Sequence, residues 1–368
     1  MKIVVVGLRG FPNIQGGVET HCEELFPRIV AQGCDVTVVR RKGFVKEDPP
    51  MKTYKGVTFK DIVSPKVVGL EAALHTFFGI CYARKVKADI VHIHAIGPAI
   101  TVPVAKMLGL KVVVTHHGPD YDREKWGRFA KFILRMGERF AARWADDIIS
   151  ISTVISDILK QKYNRTENVH LIYNGVTVRP RIPASAYLSS LGVEPKKYVL
   201  AVGRFVPEKR FDKLIEAFAS LPDTGFKLVI AGDADHESAY SSALKQLAHE
   251  RNVVLAGMVK GEKLYELYSN AALFVLPSSH EGLPITLLEA MSYDADVLVS
   301  NIPANKAVGL PADCYFDLAD PSALGDRLQA KLSRSGDRTV CYDLGKYDWD
   351  HIAGQIREVY SRRLGVEI

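Results

Sequence analysis

Short runs of β-branched and apolar residues recur along this chain, each followed by a longer stretch of helical periodicity. Eleven such runs stand out: Ile3–Val6, Asp35–Val39, Ile90–His94, Val112–Thr115, Ile148–Ser150, Val169–Ile172, Tyr198–Val202, Lys227–Ala231, Val253–Leu255, Leu273–Leu276 and Val297–Ser300. Several are apolar at every position, the pattern of a strand covered on both faces. Strand–helix–strand alternation points to parallel, doubly wound α/β sheets, because parallel neighbours need a long crossover and a helix supplies it. The runs form two series. The first ends near Tyr173-Asn174-Gly175-Val176, a stretch with Arg-Pro and Ile-Pro steps from Arg179 to Pro183 reads as a linker, and the second opens at Tyr198. With 368 residues the chain is also too long for one ordinary core. We therefore expect two Rossmann-like domains, divided near residues 178 and 179. The last segment, Trp349 to Leu364, has helical periodicity.

Composition removes several function classes. At 47% hydrophobic and 24% charged residues the chain reads as soluble and globular, neither disordered nor collagenous. Its five cysteines stand alone, with no Cys-x-x-Cys pair to suggest a zinc knuckle or a redox motif. Lone cysteines, no cleavable leader and no apolar run near the ~20 residues that cross a bilayer together suggest the cytoplasm. The charge is uneven. Residues 1–178 carry 26 Lys/Arg against 17 Asp/Glu, net +9, and the remainder is net −3. A basic half points to an anionic partner: phosphate, a membrane surface or nucleic acid. Nucleic acid is disfavoured, since no recognised module is present and aromatics are few in most basic stretches.

Residues 121–144 are the exception, interleaving seven Lys/Arg with Trp and Phe. On a helical plot Phe129, Phe132, Ile133, Met136 and Phe140 share one face. Two readings stay open: an amphipathic helix touching anionic lipid or a lipid-linked substrate, or a core-facing helix with a solvated basic side.

Three loops carry candidate chemistry. The first strand runs into Gly7-Leu8-Arg9-Gly10, then Gly16-Gly17 and a helix from Val18. Glycines let a backbone approach a ligand, and the following helix N-terminus favours phosphate. The spacing satisfies neither Gly-x-Gly-x-x-Gly nor a P-loop, so a turn needing positive φ and a ligand contact are equally open. The second series opens with Gly203-Arg204 and continues to Lys209. At the carboxyl end of a parallel strand these two cations would face one crevice, a rigid fork and a mobile point charge suited to a diphosphate. A solvated basic loop is the bland alternative. The most distinctive run is Pro277 to Pro284, which enters a helix with Pro284 in its first turn and leads to Leu287-Leu288-Glu289-Ala290-Met291. Glu281 stands at the helix mouth and Glu289 eight residues later, so the two carboxylates can accept from two separate hydroxyl clusters of one ligand. The N–H groups near Gly282 and Leu283 lie between them. Histidines gather at strand ends: His92, His94, His116 and His117. No carboxylate stands beside them at metal-ligand spacing, so we expect no metal site, and His117, beside Gly118, is the one we single out for ligand contact.

Together these pieces resemble glycosyltransferase family four. The matching elements, in the family's order, are Gly16-Gly17, Asp89-Ile90-Val91-His92-x-His94, His117-Gly118, Tyr173-Asn174-Gly175-Val176, Gly203-Arg204-x4-Lys209 and Glu281-x7-Glu289. The run from Lys125 to Lys131, with Glu138 and Ala145-Asp146, looks like the subgroup of bacterial polysaccharide rhamnosyltransferases. The resemblance implies the GT-B fold, two Rossmann-like domains facing an interdomain cleft: an acceptor-side domain of residues 1–178 joined by the last helix, about 350–368, and a donor-binding domain of residues 179–349. It implies a retaining, metal-independent hexosyl- or deoxyhexosyltransferase without cofactor, using a nucleoside-diphosphate sugar as co-substrate and a glycan or lipid-linked glycan as acceptor, in bacterial polysaccharide or glycan assembly. The enzyme would be cytoplasmic, or peripheral on the inner membrane face through residues 121–144. Arg204 and Lys209 would hold the diphosphate and Glu289 the ribose. Glu281 would contact the sugar, with Gly282 and Leu283 by the phosphates. His117 would lie at the reaction centre, and Gly16 and Gly17 would close over phosphate and acceptor. The rivals are a same-fold nucleotide-sugar epimerase and a catalytically inactive, membrane-associated binding subunit.

Overall fold

The computed structural model describes residues 1–14, 16–64, 71–122, 127–234, 236–334, 336 and 339–366. They form two compact units, Met1–Gly175 with Lys346–Ile368, and Val176–Gly345.

The first unit is built on an eight-stranded sheet. Its strands are β1 (Lys2–Val6), β2 (Asp35–Arg41), β3 (Thr53–Tyr54), β4 (Val57–Ile62), β5 (Ile90–His94), β6 (Val112–His116), β7 (Asp147–Ser150) and β8 (Val169–Leu171). They lie in the order β3-β4-β2-β1-β5-β6-β7-β8, and among the described residues only the β3–β4 pair is antiparallel. The crossover helices include α1 (Gly17–Ala31), α2 (Glu71–Lys85), α3 (Val102–Met107), α4 (Arg128–Trp144) and α5 (Thr153–Tyr163). Strands β1, β5 and β6 are fully apolar or buried along nearly their whole length, as a sheet covered on both faces requires.

The second unit carries a six-stranded, wholly parallel sheet: β9 (Tyr198–Val202), β10 (Lys227–Ala231), β11 (Val254–Gly257), β12 (Leu273–Leu276), β13 (Val297–Ser300) and β14 (Tyr315–Phe316), in the order β11-β10-β9-β12-β13-β14. Its helices are α6 (Ala186–Ser190), α7 (Phe211–Ala219), α8 (Ala239–Glu250), α9 (Glu262–Asn270), α10 (Ile285–Ser292), α11 (Pro303–Lys306) and α12 (Ala323–Leu332). The last helix, α13 (Trp349–Leu364), belongs to the first unit. Its Trp349, Ile352, Ile356 and Tyr360 share one core with Leu25, Phe26 and Ile29 of α1. Each fully buried aliphatic chain there contributes about 1.5–3 kcal/mol.

All eleven strands read from the sequence are present, with ends shifted by at most two residues. Three were missed. Strands β3 and β14 are two residues long, and β4 alternates exposed and half-buried positions near the sheet edge. A strand covered on one face lacks a continuous apolar run, and its periodicity is easily lost at such lengths.

In each sheet the strand order reverses beside its first member: β1 lies between β2 and β5, and β9 between β10 and β12. Carboxyl-end loops diverge at such a point and leave a crevice where ligands bind. Close packing supports the first unit near its own reversal. A Cβ at Gly137, in α4, would fall 1.9 Å from the carbonyl oxygen of Ile96 and 3.1 Å from the amide of Ile100. Gly137→Ala must therefore push α4 off the turn at Pro98–Thr101. We expect a loss of about 1–3 kcal/mol and a drop of several degrees in the melting of the first unit, read by calorimetry. An unchanged transition would show that the helix moves away without cost.

Candidate functional site

In the second unit, β9 delivers Gly203 and Arg204, and a short 3-10 turn, Pro207–Lys209, follows. Beside it, β12 delivers Ser278 to Pro284, with Pro284 as N-cap of α10 rather than inside its first turn. The loops are tied together: the amide of Ser279 donates to the carbonyl of Glu208 at 2.9 Å. Lys209 Nζ donates to Glu281 Oε1 at 2.6 Å, both side chains largely buried. The structure thus joins two residues 72 positions apart at one switch point. A Cβ at Gly232 would lie 1.9 Å from the carbonyl oxygen of Gly203, so the loop after β10 also presses on this corner.

Glu289 lies about one turn into α10, half-buried, and accepts from the buried hydroxyl of Tyr268 at 2.8 Å. Burial, reinforced by Glu289, pushes the Tyr268 hydroxyl well above its ordinary value, so it stays a neutral donor. The side chain of Leu283 is buried, which leaves its backbone as the part that can meet a ligand. Lys209 and Glu281 are therefore in direct contact, Arg204 stands on the same β9 loop, and Gly282, Leu283 and Glu289 follow on the β12 loop and its helix.

The glycine loop of the first unit has a structural explanation at one position and not at the other. Gly16 has φ +154°, and a Cβ there would sit 2.0 Å from Glu19 Oε2 and 2.6 Å from an Arg9 guanidinium nitrogen. Arg9 grips Glu19 through its amide, Nε and a terminal nitrogen, at 3.1–3.3 Å. Gly16 is thus required by the ion pair beneath it. At Gly17 a Cβ would meet nothing within 4 Å among the described residues. Packing does not explain that glycine, and the ligand reading stays with it.

The strand-end histidines separate into two kinds. His92 is enclosed between the Tyr360 hydroxyl and Thr115 Oγ1, each at 2.6 Å, and burial lowers its pKa to about 3. His116 Nε2 donates to Glu138 at 3.0 Å, while its Nδ1 accepts from the amide of Gly118 at 3.1 Å. These two are structural. His94 Nδ1 instead lies 3.0 Å from His117 Nε2, and both meet a residue that the sequence reading overlooked, His21 of α1. One ring nitrogen from each of His21, His94 and His117 lies within 4.8 Å of the others. Burial drives His21 down to about 4 and holds His94 and His117 well below their ordinary value, so the cluster is neutral near pH 7. No spacing rule links a residue in a helix to two strand ends; only the glycine-to-helix entry, which placed α1 beside the first strand, hinted at it.

The basic stretch also resolves into faces. Lys125 and Trp126 lie outside the described residues. From Arg128 the chain forms α4, whose buried side is Leu134, Gly137, Glu138, Ala141 and Ala142. Phe129 and Phe132 are 67% and 57% exposed, and Arg128, Arg135, Arg139 and Arg143 are exposed beside them. The apolar stripe read from the sequence is therefore not the core face. Among the described residues no helix is long and apolar enough to cross a membrane.

The chain is similar to known proteins over nearly its whole length. Residues 15–179 match the family described as Glycosyltransferase Family 4, and residues 189–338 match Glycosyl transferases group 1. Alpha-maltose-1-phosphate synthase of Mycolicibacterium smegmatis is 26% identical over 402 aligned positions, covering 98% of this chain and 99% of that one. A GDP-mannose:cellobiosyl-diphosphopolyprenol alpha-mannosyltransferase of Xanthomonas campestris is 26% identical over 296 positions, 76% of this chain and 75% of that one. Among solved structures, Anabaena HepE in complex with UDP-glucose superposes with a TM-score of 0.73 at 18% identity, covering 99% of this chain and 95% of that one. The two matched segments cover the whole second sheet and all of the first except β1, in order, and the chain belongs to glycosyltransferase family four, a glycosyltransferase with the GT-B fold.

Proposed function

We propose that this glycosyltransferase moves a hexosyl or deoxyhexosyl unit from a nucleoside-diphosphate sugar to an acceptor hydroxyl, with retention and without a metal ion. The observation that carries the reading is the Lys209–Glu281 contact at the β9/β12 reversal, one loop from Arg204 and at the mouth of α10. Arg204 and Lys209 stabilise the negative charge that grows on the departing diphosphate. The amides near Gly282 and Leu283, at the positive end of the helix, meet phosphate oxygens. Glu289, oriented by Tyr268, accepts from the ribose hydroxyls, and Glu281 from those of the sugar. His117, a neutral imidazole, contacts the transferred sugar, and Gly17, open on its Cβ side, lets the first loop close over the ligand. The leaving diphosphate takes the acceptor proton on the face of the departing bond, so retention needs no dedicated base. Fixed cations do the work a divalent ion does elsewhere.

The acceptor we favour is a glycan or lipid-linked glycan of bacterial surface assembly, in keeping with the diphosphopolyprenol acceptor in the Xanthomonas relative's name. The exposed Phe129–Phe132 stripe, flanked by four arginines, fits peripheral contact with the anionic face of a membrane.

A thermal-shift screen across nucleoside diphosphates and their sugars tests the donor. A ligand at ~100 Kd adds about 2.7 kcal/mol of stability, so one base should raise the melting temperature clearly above the rest. The matched sugar nucleotide, with acceptor and excess chelator, should then yield a glycoside of unchanged anomeric configuration. No shift with any nucleoside diphosphate would overturn the donor assignment. Conversion of donor alone would make the chain an epimerase instead.

A further inference from the structure

We propose that His21, His94 and His117 form a binding site for one divalent transition-metal ion of the zinc class, and that filling it inhibits sugar transfer. The ligands come from α1, the end of β5 and the loop after β6, and one ring nitrogen of each lies within 4.8 Å of the other two. The pair His94–His117 already stands at 3.0 Å. A four-coordinate site with metal–nitrogen bonds of about 2.0–2.1 Å sets its ligand nitrogens roughly 3.4 Å apart, so side-chain adjustment, without refolding, assembles it.

The hydrogen bonds leave lone pairs for such an ion. Asn174 Oδ1 lies 2.9 Å from His21 Nδ1 and can only accept, so that nitrogen carries the proton and Nε2 carries a lone pair. His21 Nε2 is buried without a hydrogen-bond partner among the described residues. A buried acceptor with nothing to accept from costs about 1–3 kcal/mol and calls for an explanation. His94 Nε2 is also buried without a hydrogen-bond partner among the described residues, and it is the nitrogen left to carry that ring's proton. When His94 keeps its proton there, its Nδ1, which the buried Cys22 thiol also approaches at 3.6 Å, presents a second lone pair toward His117, and His117 supplies the third with its proton on Nδ1. Every imidazole then remains neutral, and the ion stands where the two rings now share one proton. Asn174 is the outer partner that fixes the ring of His21, as metal-bound histidines usually require.

The donor set chooses the ion. Three imidazoles suit Zn²⁺, Co²⁺, Ni²⁺ and Cu²⁺ and repel the hard ions Mg²⁺ and Ca²⁺, which take oxygen. The cluster contains no carboxylate. His117 is only half-buried, so the fourth position opens toward solvent. Binding stands on this geometry alone. Inhibition rests on the role proposed above for His117, whose lone pair the metal would occupy.

The test uses the full chain, without a histidine tag and stripped of metal, with the exposed Cys81 and Cys341 replaced by serine. Titration with Co²⁺ should give one ion per chain with the intense visible absorption of a four-coordinate nitrogen site, no thiolate charge-transfer band, and displacement by Zn²⁺. Zn²⁺ should raise the melting temperature. Asn174→Ala should weaken affinity by about 10–100-fold, and His21→Gln should weaken it further. Each variant's own melt shows whether it folds, and if His21→Gln does not, Asn174→Ala carries the comparison. Weak, six-coordinate cobalt spectra, or wild-type affinity in both folded variants, would overturn the site. Zn²⁺ should also abolish transfer, and a chelator should restore it. Tight binding without inhibition would overturn the inhibitory half and the role of His117, leaving the donor assignment to its own nucleotide screen.

Discussion

Arg204→Ala and Lys209→Ala should each lower the turnover of transfer by about 10²–10³-fold, the loss seen when one preorganised donor to a developing anion is removed. That corresponds to roughly 2.7–4 kcal/mol of transition-state stabilisation. Position supports an effect of this size. Lys209 sits on a short turn braced by β12's loop through the Ser279–Glu208 bond, and its ammonium is held at 2.6 Å by Glu281. Both side chains are mostly shielded from water, where a fixed charge is worth more than in bulk solvent. Lys209→Ala also takes away the cation facing Glu281, so donor binding and turnover should fall together. Arg204→Lys separates charge from shape. It keeps the charge but loses the rigid fork, and should recover only part of the activity. The measurements are initial rates with the donor found by the nucleotide screen, alongside each variant's melting temperature. Near wild-type transfer by both alanine variants, with folding intact, would end the proposal that this corner binds the diphosphate.

The sequence reached the central strands because burial on both faces writes a continuous apolar run into β5, β6, β9 and β12. It could not reach strand order. Arg204 and Glu281 were each legible as groups at a strand's carboxyl end, but only the reversal at β9 makes their strands neighbours and joins Lys209 to Glu281. Histidines show the opposite limit. His92, His94, His116 and His117 look alike as letters, and it takes the Tyr360 hydroxyl and the Glu138 carboxylate to show that two of them are structural. His21 gave no signal, since a histidine inside an amphipathic helix reads as any other residue there. On α4 the period of the apolar residues was right. What a period cannot say is whether the stripe it defines meets the core, and here a second face, of Leu134, Gly137, Glu138, Ala141 and Ala142, does so instead.

Glu138→Ala should be the most damaging single change to the stability of the first unit outside its apolar core. The carboxylate is wholly buried and receives hydrogen bonds from His116 Nε2 at 3.0 Å, the Tyr121 hydroxyl at 3.1 Å, Lys162 Nζ at 2.6 Å and the Tyr163 hydroxyl at 2.6 Å. Truncation leaves four donors converging on nothing. Breaking a buried pair by removing one partner costs about 3–5 kcal/mol, and partial exposure of Lys162 places the loss toward the lower end. The dependence on pH gives the prediction its signature. Burial alone would raise this carboxyl's pKa, but the hydrogen bonds from His116, Lys162 and Tyr163 outweigh it and hold the group at about 2, below its ordinary 4.5. A carboxyl depressed in the folded state stabilises the fold above its unfolded pKa, and that stabilisation drains away as pH falls from about 4.5 toward 2. The difference in melting temperature between wild type and Glu138→Ala should therefore be full at pH 7 and shrink steadily below pH 4.5. Function should follow stability at a distance. His116, fixed with its proton on Nε2 by Glu138, accepts from the amide of Gly118, and that bond shapes the loop bearing His117. Glu138→Gln, still able to accept but uncharged, should keep more of the fold than alanine while losing the pH dependence. A gap between wild type and Glu138→Ala that stays constant from pH 7 to pH 3 would mean that the carboxylate's charge contributes nothing, and that the network is held by packing alone.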